Sequence, residues 1–501
     1  MRKIPATMAT QHPDNASAPY WERDGDGFVS VHEELDECVS AWRDLGVGEF
    51  MWDFEGKYAD EAVIDRLFST HHAFCQEEQI GRDRLLTFRL PNPWHEPAYS
   101  LPRALMVILT SQDFARDLGF HPTPLFEVIL PMTERADQLI FIQRAFQTLA
   151  AAKYQAFAQK KNGKYLEVIP LIEGAIAQQG VGKLLARYAV LHKKYFKKPP
   201  EYIRPFLARS DPALISGLLA TVIGNAIALS EIAAFSKETK IPTFPILGVG
   251  SLVFRGGLTP DNIPQFLHQY AGVRTVTIQS AFRYDYPLPQ VKKAIGVLGK
   301  NLPKTKPRSL SASALRELPR LTKRAERLYQ ETLPGLLPRL QPIFASVPKR
   351  RERRLHIGLL GYGRKVGQSV LPRAITFTAG CYSLGTPPEF FGTGRMLTQM
   401  TDRERSLLDI AYPNLTSDLE RAGRYLNREM VERLAKHDKP WRAVLEDIHA
   451  RESTLGISFG PKTAAEQLHY GLTTQIYEAR QNPLTLTRLI TEAGILRRSL
   501  G

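Results

Sequence analysis

The sequence predicts an α/β fold: a (β/α)8 barrel of the TIM type with an additional C-terminal α-helical region. Three observations point there. Eight short apolar runs recur over roughly the first 280 residues, and most are continuous rather than alternating, as in strands buried on both faces of a parallel sheet. Helical patterns separate them, and eight such units fit a closed barrel, usually about 250 residues, better than an open doubly wound sheet. After Tyr286 the strand pattern stops and helical patterns take over.

The expected strands are Thr7–Pro13, Glu49–Lys57, Leu85–Pro93, Leu125–Thr133, Leu166–Glu173, Arg204–Asp211, Phe244–Ser251 and Val273–Arg283. The first, TMATQHP, reads as a strand only in company with the other seven. Between them Val31–Leu45, Glu61–Cys75, Ala104–Leu118, Ala136–Lys160, Gly182–Lys194, Pro212–Lys237 and Pro260–Tyr270 carry apolar residues at helical spacing. Pro212 and Pro260 stand where a first helical turn tolerates proline. Pro287–Pro289 and the basic segment Lys300–Arg308 mark a boundary, giving a barrel over residues 1–286 and a helical region over 287–501. Helices are expected there at Ala312–Gln330, Arg403–Ala411, Leu415–Lys436, Trp441–Arg451, Thr463–Arg480 and Thr485–Leu496.

Composition narrows the function classes. The 501-residue chain is 43% hydrophobic and 23% charged, the balance of a soluble globular protein. No apolar run reads as long enough to span a bilayer, and MRKIPATMATQHPDN lacks the apolar stretch of a secretory signal, so no membrane association is expected. Cys38, Cys75 and Cys381 are scattered without a CxxC pair, which argues against a disulfide framework or zinc site and fits the reducing cytoplasm. The net charge of +15 has clusters at Lys193, Lys194, Lys197 and Lys198 and at Lys349, Arg350, Arg351, Arg353 and Arg354. Nucleic-acid binding is one reading of that charge. No nucleic-acid-binding motif accompanies it, and a solvated basic surface that attracts anionic substrates is the reading adopted.

Polar residues gather at the C-terminal strand ends, where barrel enzymes build their sites. LEVIPLIE ends on Glu173, and PFLARSD ends on Asp211. Two carboxylates on successive strands suit Mg²⁺, or Mn²⁺. Each acid also has a plain structural reading as a helix N-cap. The other ends supply Gln11 and His12; Asp53, Glu55 and Lys57; Arg89 and Asn92; Met132 and Thr133; Gly250, Ser251 and Arg255; Gln279 and Arg283; Arg274 opens the last strand. Several arginines imply a polyanionic substrate with phosphate and carboxylate groups. GVGSLVFRGGL, residues 248–258, has the small-residue pattern of a loop offering backbone N–H groups to an anion. His12 can exchange a proton near neutral pH. A second glycine pattern, LHIGLLGYGRKVG at Leu355–Gly367, lacks the spacing of a dinucleotide fingerprint.

TMATQHPDN, EFMWDFEGK, FEVILPMT, VIPLIEG, FLARSDPAL, GVGSLVFRGGL, GVRTVTIQSAFRYDY and TFTAGCYSLGTPPEFFGTGR together resemble the short, archaeal-type phosphoenolpyruvate carboxylases. The resemblance implies a homotetramer that makes oxaloacetate and phosphate from phosphoenolpyruvate and bicarbonate with Mg²⁺ or Mn²⁺. It implies Glu173 and Asp211 as metal ligands, His12 as the essential histidine and Arg255 as a mobile-loop arginine whose closure excludes water. It implies Arg274 and Arg283 as anion-holding arginines, with Gly250 and Ser251 on the phosphate side. Arg89 and Lys57 are expected in the site without an assigned role. Asp14 follows the His-Pro pair where the longer enzymes have Thr-Glu, and one Arg-Gly-Gly stands where they have two. Arg373 and Arg395 are candidate inhibitor contacts. The alternative is another divalent-metal barrel lyase acting on phosphoenolpyruvate or oxo-acids, such as a citrate-lyase-like aldolase.

Overall fold

Eight parallel strands close on themselves in chain order: β1 (Thr7–Thr10), β2 (Glu49–Asp53), β3 (Leu85–Arg89), β4 (Glu127–Leu130), β5 (Glu167–Ile172), β6 (Phe206–Ala208), β7 (Ile246–Gly248) and β8 (Thr275–Ile278). Each pairs with the next, and β1 with β8 shuts the barrel, Met8 opposite Thr277. The structure, a computed structural model, describes residues 3–22, 24–54, 61–96, 99–157, 165–352 and 365–501. Every strand is shorter than its expected range, which also takes in flanking residues of the loops.

The barrel interior is layered. Its middle is apolar: Met8, Met51, Ile129, Ile169, Leu171, Phe206 and Ile246 form one buried cluster. Its floor, at the N-terminal strand ends, is not. Arg204 is fully buried and donates to Glu49 at 3.0 and 2.6 Å, to Glu127 at 2.6 Å and to Thr275 at 3.2 Å. Tyr202 caps Glu127 at 2.6 Å and Thr87 caps Glu49 at 2.5 Å. Burial raises the Glu49 pKa and Arg204 opposes that rise. Paired through both terminal nitrogens of Arg204, these ions tie β2, β4 and β8 together at the floor.

The helical patterns appear with altered bounds. The expected Glu61–Cys75 helix is two, Val63–Thr70 and His72–Glu77, and Leu415–Lys436 divides into Leu415–Gly423 and Arg428–His437. The second of these is restarted by Asn427, whose Oδ1 accepts from Met430 N at 2.9 Å. The expected Ala312–Gln330 helix runs on to Ala345 through Pro334, Pro338 and Pro342. A proline removes one backbone bond, but buried Leu333, Leu336, Leu337 and Leu340 hold that face against the second core. Helices Leu288–Asn301 and Ala374–Ser383 lie where none was expected.

One helix, Ser210–Thr239, joins the two halves of the molecule. Leu214, Leu218 and Val222 pack into the helical region's core, while Ala228, Ile232 and Phe235 pack into the barrel's. It contains a window long and apolar enough to cross a membrane, contrary to the sequence expectation, and 89% of that window is buried inside the protein. Its apolarity is that of a helix covered on all sides. Gly217, at φ 81°, kinks it against Tyr329.

Candidate active site

The mouth of the barrel collects side chains from seven strand ends, those of β1, β2, β3, β5, β6, β7 and β8. Glu173 stands directly after β5 and Asp211 lies in the first turn of the helix after β6. β5 and β6 are neighbours, with Ile172 opposite Leu207, so both acids leave the sheet side by side. Neither is an N-cap: the cap positions are Gly174 and Arg209. Both acids are half-buried. Among the described residues no group of three or more acids, histidines or cysteines gathers for a metal. Two carboxylates alone fit Mg²⁺, which keeps waters and takes substrate oxygens to complete its octahedron.

Arg255 is the hub of the adjoining side of the mouth, after β7. It ends a 3-10 turn, Val253–Arg255, and is 1% exposed. Its Nη1 donates to Asp14 at 2.9 Å and to the Gly501 carbonyl at 2.5 Å, Nη2 to Gln279 at 2.5 Å and Nε to Ser210 at 3.2 Å. It therefore ties together the segments after β1, β6 and β8. Burial lowers its pKa and Asp14 opposes the effect; a guanidinium stays charged regardless. In this structure the side chain is sequestered, with all three nitrogens engaged. Gly250 is a glycine because of it. A Cβ there would lie 2.9 Å from the Arg255 guanidinium, and the Gly250 amide already donates to the Arg255 carbonyl at 2.8 Å. The amide expected to greet an anion is thus spent within the turn. Ser251 keeps a buried hydroxyl with no hydrogen-bond partner.

Arg283 is fully buried just past β8. Its Nη2 donates to Thr10 O at 2.8 Å, to Glu37 at 2.9 Å and to Ser280 Oγ at 3.2 Å. Its Nε and Nη1 meet no acceptor. Buried guanidinium donors left open are costly unless an anion fills them. His12 lies close by: Ser280 N donates to its carbonyl at 3.3 Å, and its Nδ1 is 2.9 Å from Thr10 Oγ1. On the far side Arg89 clasps Asp53 through two bonds, at 2.8 and 2.6 Å, and Gln11 accepts from Asp53 N at 2.9 Å. Arg89 thus has a carboxylate partner of its own. Lys57 and Glu55 lie outside the described residues, as does most of the 355–367 glycine pattern.

Arg274 is a correction. It precedes β8, and its amide donates to Pro245 O at the N-terminal end of the barrel, the pole opposite the mouth. An arginine that opens a strand cannot share a site with residues that follow strands. Arg395 and Arg373 lie in the helical region; Arg395 grips Asp447 through Nε at 3.1 Å and Nη2 at 2.9 Å.

The mouth also holds Asp14, which lies beyond the strand ends named in the sequence. Asp14 is fully buried and receives Ala281 N at 2.7 Å as well as Arg255. Burial raises its pKa, with Arg255 the first opposing influence. Gln279, already expected at a strand end, and Ser210, beside Asp211, complete the Arg255 cage. Asp14 was visible in HPDN, two residues from His12, but nothing in the sequence pairs it with a residue 241 positions away.

The sequence pattern defining the family described as phosphoenolpyruvate carboxylase matches residues 4–501. A phosphoenolpyruvate carboxylase of Leuconostoc mesenteroides is 43% identical, with 100% of this chain and 99% of the relative aligned. Its counterpart in Oenococcus oeni is 42% identical over the same shares. That of the archaeon Pyrococcus horikoshii is 36% identical over 90% of this chain and 96% of its own. Matched from the first strand to the last helix, and by relatives of its own length in bacteria and archaea, the chain belongs to the phosphoenolpyruvate carboxylase family, in its short, archaeal-type form.

Proposed function

We propose that this protein carboxylates phosphoenolpyruvate with bicarbonate, giving oxaloacetate and phosphate. The observation that carries the reading is a paired carboxylate site on β5 and β6 sharing one mouth with buried, incompletely satisfied Arg283. A trianionic substrate needs both: cations for its phosphate and carboxylate, and a divalent ion for the charge that develops on reaction. Glu173 and Asp211 are the residues that would hold Mg²⁺ or Mn²⁺, which when bound supplies Lewis-acid stabilisation of developing negative charge.

The chain's own residues then have distinct tasks. Arg283 offers Nε and Nη1 to a substrate anion, and Ser251, after β7, offers its hydroxyl. A bicarbonate oxygen attacks phosphorus and the bond from phosphorus to the enol oxygen breaks, giving carboxyphosphate and the enolate of pyruvate. Carboxyphosphate splits into CO₂ and phosphate, and the enolate carbon attacks CO₂. The bicarbonate proton ends on phosphate, and His12 is the group placed to relay it. Arg255, caged by Asp14, Gln279 and Ser210, keeps positive charge fixed at the rim rather than delivering it by motion. Arg89 holds Asp53 and orders the β2–β3 side.

Bicarbonate labelled with ¹⁸O tests the sequence of steps. The reading expects label in the released phosphate; unlabelled phosphate would move the reaction to the alternative, a lyase that does not join bicarbonate to phosphorus. We further propose a cytoplasmic homotetramer. Three free, buried cysteines support a reducing compartment, and exposed Leu468, Leu484 and Ile495 on the last helices support subunit contact.

A further inference from the structure

Glu389 belongs to the PPEFFG segment, far from any strand end, and the reaction described above gives it no task. It is fully buried. Its Oε1 accepts from the Phe254 amide at 2.7 Å and from the Tyr382 hydroxyl at 2.7 Å. Its Oε2 is buried with no hydrogen-bond donor. Phe254 is the residue before Arg255, and its carbonyl accepts from Arg209 Nη1 at 3.3 Å. Arg209 in turn precedes Ser210, which holds Arg255 Nε, and Asp211. The backbone next to Arg255 is therefore gripped at its N–H by a carboxylate from the helical region and at its carbonyl by an arginine from the β6 loop.

We propose that Glu389 is a positioning residue for Arg255: its ionised carboxylate, reaching from the helical region into the barrel mouth, fixes the Phe254 amide and so sets the register of the guanidinium among Asp14, Gln279 and Ser210. The proposal rests on the carboxylase reading and assigns a residue to it. A structural contact alone would be served by any acceptor of that shape. A carboxylate does more, because an N–H bond to an ionised acceptor is roughly twice as strong as one to a neutral group. The clamp is then strong when Glu389 is charged and weak when it is protonated.

The surroundings put that change near neutrality. Burial pushes the Glu389 carboxyl up to about 7, against the lowering pull of Tyr382, of the Phe254 amide and of Arg209. The helix Ala374–Ser383 presents Tyr382 and Cys381 to it, both titrating only at high pH. The 3-10 turn brings Arg255, paired with Asp14. Leu415–Gly423 brings Arg421 and Asp418, which lie 3.4 Å from each other, and Asp418 also accepts from Tyr412 at 3.0 Å. Thr393–Thr398 and Lys439–Leu455 bring Arg395 and Asp447, bound to each other, and Arg451, whose pKa burial lowers to about 10. Among these Arg209 is the cation that acts on Glu389.

The test compares the wild-type protein with Glu389→Gln, which keeps the shape and the acceptor oxygen and loses the charge. Oxaloacetate formation is followed from about pH 6 to 8.5, with phosphoenolpyruvate varied. At about pH 8 the variant should show a KM for phosphoenolpyruvate raised roughly fivefold with kcat changed less than about twofold, and at about pH 6 the two proteins should converge. Parallel profiles, or an unchanged KM at pH 8, overturn the proposal. Amide hydrogen exchange over residues 248–258 supplies a readout independent of turnover. Glu389→Leu should exchange there roughly tenfold faster than wild type while the barrel strands stay protected. Unchanged exchange also overturns it. A wild-type protein that makes no oxaloacetate overturns the carboxylase reading instead, and the exchange comparison then judges the clamp alone.

Discussion

Asp211 is one residue past Ser210, which holds Arg255, and two past Arg209, which holds the Phe254 carbonyl. Its neighbours are thus fixed by bonds that do not involve its own carboxylate. Asp211→Asn should for that reason leave the fold intact and abolish metal-dependent turnover, a loss of roughly a hundredfold or more. Near-normal rates at saturating Mg²⁺ in a folded variant would remove Asp211 from the metal site. At this scale the sequence was legible where a residue's place follows from its position on a strand: Glu173, Asp211, His12 and Arg283 all emerge at the mouth. It was illegible where function follows from a partner distant in sequence. Asp14 pairs with Arg255 across 241 positions and Glu389 meets Phe254 across 135. Arg274 failed for a different reason: its chemistry suits an anion, but it opens β8 instead of following it.

The helix Ser210–Thr239 shows how an element can serve two cores. Its kink at Gly217 needs a φ of 81°, which a side-chain-bearing residue rarely adopts, and a Cβ there would come within 2.7 Å of the Tyr329 ring. Gly217→Ala should cost about 1–3 kcal/mol, seen as a lower midpoint in chemical denaturation; an unchanged midpoint would mean the kink straightens freely. The helices Ala464–Glu478 and Pro483–Arg497 are joined by a buried pair, His469 Nε2 and Arg497 Nη1, 3.1 Å apart. Burial, then Arg497, holds the His469 pKa well below 6.5. An unfolded chain takes up a proton below about pH 6.5 that the folded chain refuses, so this pair removes stability as pH falls through that value. His469→Gln should flatten the acid limb of the stability curve, measured as the denaturation midpoint from pH 7 down to 5. A limb as steep as wild type's would place the acid sensitivity elsewhere.

The whole molecule is a barrel whose mouth is finished by the helical region. Periodicity revealed the eight strands because burial on both faces leaves a continuous apolar run, but the strand bounds follow the hydrogen-bonded ladder, which is shorter than the runs. It could not reveal the ionic floor of Arg204, Glu49 and Glu127, where charges stand in positions that aliphatic packing usually fills. Nor did it show that the Ser210–Thr239 helix crosses from one core to the other, or that residues 499–501 return to the mouth, where Leu500 N donates to Asp14 O at 2.7 Å. All these contacts serve one reaction in this account, so that reaction is the thing to measure. Purified protein, phosphoenolpyruvate, bicarbonate and Mg²⁺ would be coupled to malate dehydrogenase and NADH, with each component omitted in turn. The account predicts NADH oxidation only when all are present. A folded protein that oxidises no NADH with either Mg²⁺ or Mn²⁺, or that does so equally without bicarbonate, would contradict it.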